Sequence, residues 1–344
     1  EELNEMRERM RLAGVPSPQY NAVTRNTMKN SLALSEDEVS KKINAGDKYV
    51  IRIKMPRNEE IKFNDIIRGW VVVNTNNMDD KVLFKSDGMP TYHLANVIDD
   101  YLMNISHVIR GEEWLPSAPL HVFLYESFGW QNEIPEFAHL PLILNPDGDG
   151  KLSKRDGDRL GFPVFPILWK NQANGNIVEG YKEKGFLPEA FINMLAFLGW
   201  NPGSNKEVFS IQELIKEFSL ERVGKSGARY DYQKTQWFNQ QHLRLKKNKE
   251  ILQKVNFPED SKKNEEYVLR VIELVKERCV FFEDIIKESK YLFNAPQNYD
   301  KSAIDKKWNK ESVSHLILLK SELSLCKDFT RNNLEHLFKE YLDS

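Results

Sequence analysis

Residues 105–114 read Ile105-Ser-His-Val-Ile-Arg-Gly-Glu-Glu-Trp114, and residues 137–144 read Phe137-Ala-His-Leu-Pro-Leu-Ile-Leu144. The first begins with a short apolar strand, Ile105 to Ile109. The second is an apolar strand that opens onto a loop rich in Asp, Gly and Lys. Between them Ser117 to Phe128 has a helical pattern, and Tyr92 to Leu102, after a turn at Asp87, Gly88 and Pro90, has another. Strand–helix–strand alternation at this spacing predicts a parallel sheet with crossover helices. A doubly wound sheet needs more than these two strands, so the reading is half of one.

Upstream, Leu3, Met6, Met10 and Ala13 stand at helical spacing, with Gly14 as a stop, and Pro16 and Pro18 start a loop. Tyr49, Ile51, Ile53 and Met55 alternate with Lys48, Arg52 and Lys54, which predicts a strand ending at Pro56. Ile66 to Val73 and Lys81 to Lys85 read as two further strands. The first 85 or so residues are thus expected to form an α+β module. Downstream of Pro188 the chain reads as helical over Glu189–Leu198, Ile211–Phe218, Gln233–Leu243, Tyr267–Cys279, Phe281–Lys290, Ser312–Leu325 and Asn332–Leu342. Lys-rich connectors near 245–265 and 294–311 separate these helices, and a domain boundary is expected near 245.

The 344 residues are 40% hydrophobic and 29% charged, the balance of a folded globular protein. No apolar run approaches the ~20 residues that cross a bilayer, so no membrane span is expected. Two cysteines, Cys279 and Cys326, cannot build a disulfide framework or a four-thiolate zinc site, which fits a cytoplasmic protein. Lys plus Arg (49) nearly cancels Asp plus Glu (51), so any nucleic-acid surface must come from local arrangement. The chain opens on Glu1 in a helical run with no targeting pattern, and is read as a piece of a longer protein.

Chemistry concentrates after the second strand. Lys151-Leu-Ser-Lys-Arg155 places three cations and a hydroxyl in five residues, at the end of the sheet where open α/β folds bind ligands. Such lysines can follow a polyphosphate and oppose charge developing at its α-phosphate; the alternative is a solvated basic turn. Asn145, Asp147, Asp149 and Gly150, with Asp156, imitate a calcium loop. The first position is Asn, the last is not Glu, and Pro141 and Pro146 break an incoming helix, so that reading is set aside. Gly224-Lys225-Ser226 lacks the earlier glycine of a P-loop, Ser219 standing there. His93, His107, His121 and His139 have no short metal-ligand spacing, and no metal site is expected. Arg110 suits a two-pronged grip on a carboxylate. Trp114 can stack on a base or close the core, and Tyr92 and Asn96 share a helical face.

In order, Asp87-Gly-Met-Pro-Thr-Tyr-His-Leu-Ala-Asn96, His107-Val-Ile-Arg-Gly-Glu-Glu-Trp114, His139-Leu-Pro-Leu142, Lys151-Leu-Ser-Lys-Arg155, Gly185-Phe-Leu-Pro-Glu-Ala190 and Leu198-Gly-Trp-Asn-Pro202 form a series. The series closely resembles bacterial-type glutamyl-tRNA synthetases, which are class I enzymes, and the resemblance covers nearly the whole chain. It implies ATP-dependent ligation of L-glutamate to tRNA(Glu) through a glutamyl-adenylate, with Mg2+ accompanying ATP. It implies that Lys151 and Lys154 are catalytic, and that Leu142, Ile143, Ser153, Lys154, Arg155 and Trp114 meet ATP. Tyr92, Asn96, Arg110 and Glu113 then line the substrate pocket.

The resemblance further implies an α/β plus all-α architecture. Residues 1–86 correspond to an inserted acceptor-stem-binding domain, 87–145 to the second half of a Rossmann-type catalytic domain, 146–244 to a stem-contact domain, and 245–344 to part of a helical anticodon-binding domain. A monomer is expected. The class signature His-x-Gly-His is absent from the 344 residues. The chain is therefore read as truncated at its N-terminus, and at its C-terminus because the helical bundle is unfinished, and is expected not to aminoacylate alone. Residues 159–180 are longer than the family's usual connection. Alternatives are a non-catalytic tRNA-binding fragment and a glutamine-specific relative; the Arg-Gly-Glu-Glu-Trp context favours glutamate. Relatives that glutamylate a tRNA base tend to lack a long anticodon-binding region, and the helical residues after 244 argue against that reading.

Overall fold

The structure, a computed structural model, describes residues 2–148, 150–170, 172, 175–258, 264–295 and 297–343, with the backbone alone at 154, 158, 303 and 343. It divides into two compact units, Glu1–Lys246 and Lys247–Ser344. In the first unit the helices are α1 (Glu2–Leu12), α2 (Glu36–Asn44), α3 (Tyr92–Leu102), α4 (Ala118–Ser127), α5 (Lys154–Leu160), α6 (Pro188–Phe197), α7 (Ile211–Glu217) and α8 (Tyr232–Leu245). The strands are β1 (Ile51–Arg52), β2 (Glu60–Asp65), β3 (Gly69–Asn74), β4 (Val82–Phe84), β5 (His107–Gly111), β6 (Glu136–Leu140), β7 (Ile143–Leu144), β8 (Trp169–Lys170), β9 (Ile177–Val178) and β10 (Ala228–Arg229).

The central sheet has the order β3-β2-β6-β5. Strands β5 and β6 run parallel from His107↔Glu136 to Gly111↔Leu140, and α4 forms the crossover between them. That is the expected strand–helix–strand unit. Helix α4 is buried nearly all round, from Ala118 to Leu124 and Tyr125, which is why its sequence is apolar without a clean stripe. Successive side chains of β6 point to opposite faces. Phe137 joins Ile61, Phe63, Val97, Leu120 and Tyr125 in one core. Ala138 joins Ile67, Trp200, Phe209, Leu214 and Val223 in another.

Several sequence expectations need correction. The strand expected over 49–55 shrinks to β1, antiparallel to β4. Met55 and Ile53 are buried, but Tyr49 and Ile51 face solvent, so the alternation holds for only half of the run. The strand expected over 66–73 begins at Gly69, because Ile66 to Arg68 form a hairpin turn that Gly69 closes at φ +81°. Its partner β2 was not expected, although Ile61, Phe63 and Asp65 alternate inward. Pairing of β2 with β6 at Asp65↔Phe137 puts the hairpin into the same sheet as β5 and β6. The 137–144 run is two strands. The segment Pro141-Leu142 breaks it, and β7 leaves the sheet to pair in parallel with β10. In that break Gly199 (φ +117°) lies against Pro141.

The segment 159–180, without an expected structure, contains the β8–β9 hairpin. Gly180 passes so close to the Ile167 backbone that a Cβ would stand 2.4 Å from its carbonyl carbon. The second unit holds α9 (Asn248–Lys254), α10 (Glu265–Val275), α11 (Phe282–Phe293), α12 (Lys301–Lys307), α13 (Lys310–Leu325) and α14 (Arg331–Asp343). Helices α9 and α12 stand where connectors were expected. Helix α10 buries Val268, Val271, Ile272 and Val275, the i, i+3, i+4, i+7 stripe of an amphipathic helix.

Candidate active site

The parallel strands β5 and β6 carry their functional side chains at their C-terminal ends. Arg110 is the penultimate residue of β5 and stands opposite His139 of β6 in the ladder. Its Nε donates to His139 Nε2 at 3.1 Å. Among the described residues its two terminal nitrogens make only long contacts, Nη1 to the Tyr92 hydroxyl at 3.4 Å and Nη2 to the Trp114 carbonyl at 3.5 Å. Trp114 lies in the turn after β5, and its ring tilts against that of Tyr92 at 4.7 Å, with the Arg110 guanidinium 5.9 Å from the indole. Tyr92 is 47% exposed and Trp114 39%, so this is an open mouth with an aromatic rim.

Behind the mouth lies a polar layer whose centre, Asp65 and His139, is fully buried. His139 Nδ1 meets Asp65 Oδ2 at 2.6 Å, with neither side chain reaching solvent. Asp65, the last residue of β2, also accepts the backbone N–H of Ile67, Arg68 and His139. Burial pushes its carboxyl upward, but the His139 ring and these three N–H groups outweigh that and hold it below the usual aspartate value. Arg68, in the hairpin turn, donates to the His139 carbonyl at 3.0 Å and forms an ion pair with Glu112 at 2.6 Å. It also donates to the Lys225 carbonyl at 2.6 Å, and Lys225 Nζ returns to the Arg68 carbonyl. Lys225, set aside as a P-loop residue, is thus a strut.

Under Tyr92, His93 Nδ1 and His121 Nε2 share a hydrogen bond of 3.1 Å. Burial, then the charge of Arg110, pulls His121 down to about 3. His93 is lowered mainly by burial, then by Lys81 and Arg110. Asn96, one turn along α3, gives its amide to Asp100 at 3.0 Å, while its buried Oδ1 meets no protein donor among the described residues.

Beyond β6 the backbone is heavily engaged. Glu112 Oε1 accepts the Leu142 N–H at 3.2 Å, Ala228 N–H takes the Leu142 carbonyl, and Leu152 N–H takes that of Ile143. Lys151 Nζ pairs with Glu113, and this contact lowers the Glu113 carboxyl. The basic pentapeptide is not all loop. Lys151 bridges Leu144, and Ser153 caps α5, its N–H and hydroxyl both donating to Asp156. Arg229 pins the preceding turn through the carbonyls of Asn145, Pro146 and Gly148.

Two sequence profiles match the chain, one described as tRNA synthetases class I (E and Q), catalytic domain, over residues 1–237, the other as an anticodon binding domain over 234–344. A glutamate–tRNA ligase of Amoebophilus asiaticus is 52% identical over 99% of this chain and 67% of its own length. That of Cytophaga hutchinsonii is 51% identical over 100% of the chain and 67% of its own. The chain belongs to the glutamate–tRNA ligase family. A crystal structure of a glutamate tRNA ligase from Elizabethkingia meningosepticum in complex with its amino acid superposes with a TM-score of 0.85. It is 48% identical, over 98% of this chain and 67% of the other.

Of the residues expected at a ligase site, Tyr92, Arg110 and Trp114 converge on one mouth, and Glu113 joins Lys151 beside it. Leu142 and Ile143 lie between Glu112 and β10. Arg155 is exposed on α5. The Lys154 side chain and Asp149 lie outside the described residues. Among the described residues no group of three or more His, Cys, Asp or Glu side chains could hold a metal ion. Sequence reasoning missed Asp65, Arg68 and the partnership of His139. The available signal was an Asp at the third inward position of the Ile61–Phe63–Asp65 alternation, where an apolar residue would be the rule.

Proposed function

We propose that this chain works in the ATP-dependent ligation of L-glutamate to tRNA through a glutamyl-adenylate. The observation that carries the reading is the mouth around Arg110. With Nε spent on His139 and both Nη groups beyond the usual 2.7–3.2 Å range of N–H···O bonds, the guanidinium has two parallel donors ready for a carboxylate. Tyr92 supports it from the α3 side. The unmet Asn96 Oδ1 suits the ammonium group of the same amino acid.

In this reading ATP lies between β7 and the basic pentapeptide. The Leu142 backbone is taken at both ends, which leaves the Ile143 N–H as the donor for adenine. Lys151 leaves Glu113 for the triphosphate, which offers more negative charge than one carboxylate. A substrate carboxylate oxygen bonds to the α-phosphorus as the bond to pyrophosphate breaks. Lys151 and Lys154 oppose the charge that builds on the phosphoryl oxygens, and Ser153 and Arg155 line the same end. Mg2+ would come with the triphosphate and add its charge to that of Lys151; among the described residues no group of three or more His, Cys, Asp or Glu side chains could hold it without the nucleotide.

For tRNA, we read 1–86 as meeting the acceptor end, 146–244 as the stem-contact region and 245–344 as anticodon-binding, within a monomeric cytoplasmic enzyme. No helix is long and apolar enough to cross a membrane among the described residues. The test is glutamate-dependent ATP–pyrophosphate exchange by the intact enzyme with tRNA present. Lys154→Ala is expected to slow it by roughly 10²–10³, the scale for one preorganised charge-stabilising group. An unchanged rate would remove Lys154 from the chemistry. Exchange as fast with glutamine as with glutamate would move the assignment to a glutamine-specific relative.

A further inference from the structure

Arg110 is held on one side by a hydrogen-bonded chain that runs into the core, and the chemistry of each atom fixes its proton. Arg110 Nε–H can only donate, so His139 Nε2 must carry a lone pair. The ring proton then sits on Nδ1 and is donated to Asp65. Asp65 can accept it because three backbone N–H groups already hold the carboxylate in place as an anion. We infer that Asp65 and His139 are positioning residues for the glutamate-gripping Arg110: Asp65 fixes the Nδ1–H tautomer of His139, which turns a lone pair toward Arg110 Nε and aims the two Nη donors into the mouth. The inference rests on the reading of Arg110 as the carboxylate receptor.

Asp65→Asn separates this role from simple packing. The Asn oxygen must stay with the backbone N–H groups, so its amide faces His139 Nδ1 as a donor. The imidazole then shifts its proton to Nε2, and two donors oppose each other at Arg110. His139→Gln keeps an acceptor for Arg110 and a donor for Asp65, whereas His139→Leu keeps neither.

The first measurement is the long-range proton–nitrogen spectrum of the imidazoles, with His139 assigned by its loss in His139→Gln. Nδ1–H is expected in the native chain and Nε2–H in Asp65→Asn. The second is the KM for glutamate and for ATP in the intact enzyme. Asp65→Asn and His139→Leu should raise the glutamate KM at least tenfold and leave the ATP KM within twofold; His139→Gln should stay within threefold for both. A native Nε2–H or doubly protonated His139 overturns the inference, whatever the kinetics. So does a glutamate KM that moves with Arg110→Ala but not with His139→Leu. A glutamate KM indifferent to Arg110→Ala removes the receptor reading and this inference together. If Asp65→Asn does not fold, the native spectrum and the two His139 variants still decide.

Discussion

Replacing Arg110 by alanine removes both proposed prongs of the carboxylate grip and leaves the strand intact, since residue 110 keeps its backbone pairing opposite His139. A hydrogen bond to a charged group contributes about 1.5–3 kcal/mol, and stripping one partner from a desolvated charged pair costs about 2–5 kcal/mol. The mouth is open, with Tyr92 and Trp114 partly in solvent, so water can take over part of the lost contact and the lower half of that range applies. About 3 kcal/mol corresponds to a roughly hundredfold weaker grip, at about 1.4 kcal/mol per tenfold. Because the grip acts on the bound substrate and the transition state alike, the loss should appear in the KM for glutamate with little change in kcat. The assay is tRNA-dependent exchange at varied glutamate and varied ATP. Arg110→Lys should recover only part of the loss, because one ammonium cannot donate to His139 and close on two carboxylate oxygens in one plane. If the KM for glutamate stays within twofold while that for ATP rises, the mouth is not the amino-acid pocket.

Acid should destabilise the first unit through His121. Its folded pKa of about 3 lies below the unfolded value near 6.5, so the stability from burying it neutral is complete above 6.5 and is lost as pH falls toward 3. At pH 4.5 that loss is about 2–3 kcal/mol, and denaturant melts of His121→Gln should fall less between pH 7 and 4.5 than those of the native chain; parallel curves would contradict this. Glu113→Gln should change the melting temperature little, because its pairing with Lys151 is largely exposed and such pairs are worth about 0–1 kcal/mol. It should lower the KM for ATP a few-fold by releasing Lys151, and a raised KM would mean that Glu113 itself holds the nucleotide. Gly199→Ala meets both a left-handed backbone (φ +117°) and Pro141 Cγ at 2.8 Å, and should destabilise by about 2–4 kcal/mol. Gly203→Ala, at φ +73° with open space around it, should cost only about 1–2 kcal/mol, and equal melting shifts would remove the contact with Pro141 from the account.

What the sequence determined by itself was local. Helical spacing placed α3 from Tyr92 to Leu102, and short apolar runs on either side of a helix announced the parallel pair β5 and β6 with Arg110 at its functional end. Both signals live within one or two elements, where side-chain period and hydropathy are enough. The ordered motifs added the family, because six short spacings agree only when one fold generates them all. The tertiary structure decided which strand lies beside which. A period-2 pattern says that Ile61, Phe63 and Asp65 share a face, but not that the strand pairs with β6, so the hairpin read as part of a separate module. For the same reason the break at Pro141-Leu142 was hidden inside one apolar run, since a strand leaving one sheet for another stays apolar throughout. Asp65 and His139, 74 residues apart in the chain, show the limit most plainly. A buried charge is tolerable only where the fold delivers its partner, and sequence spacing carries no record of that delivery.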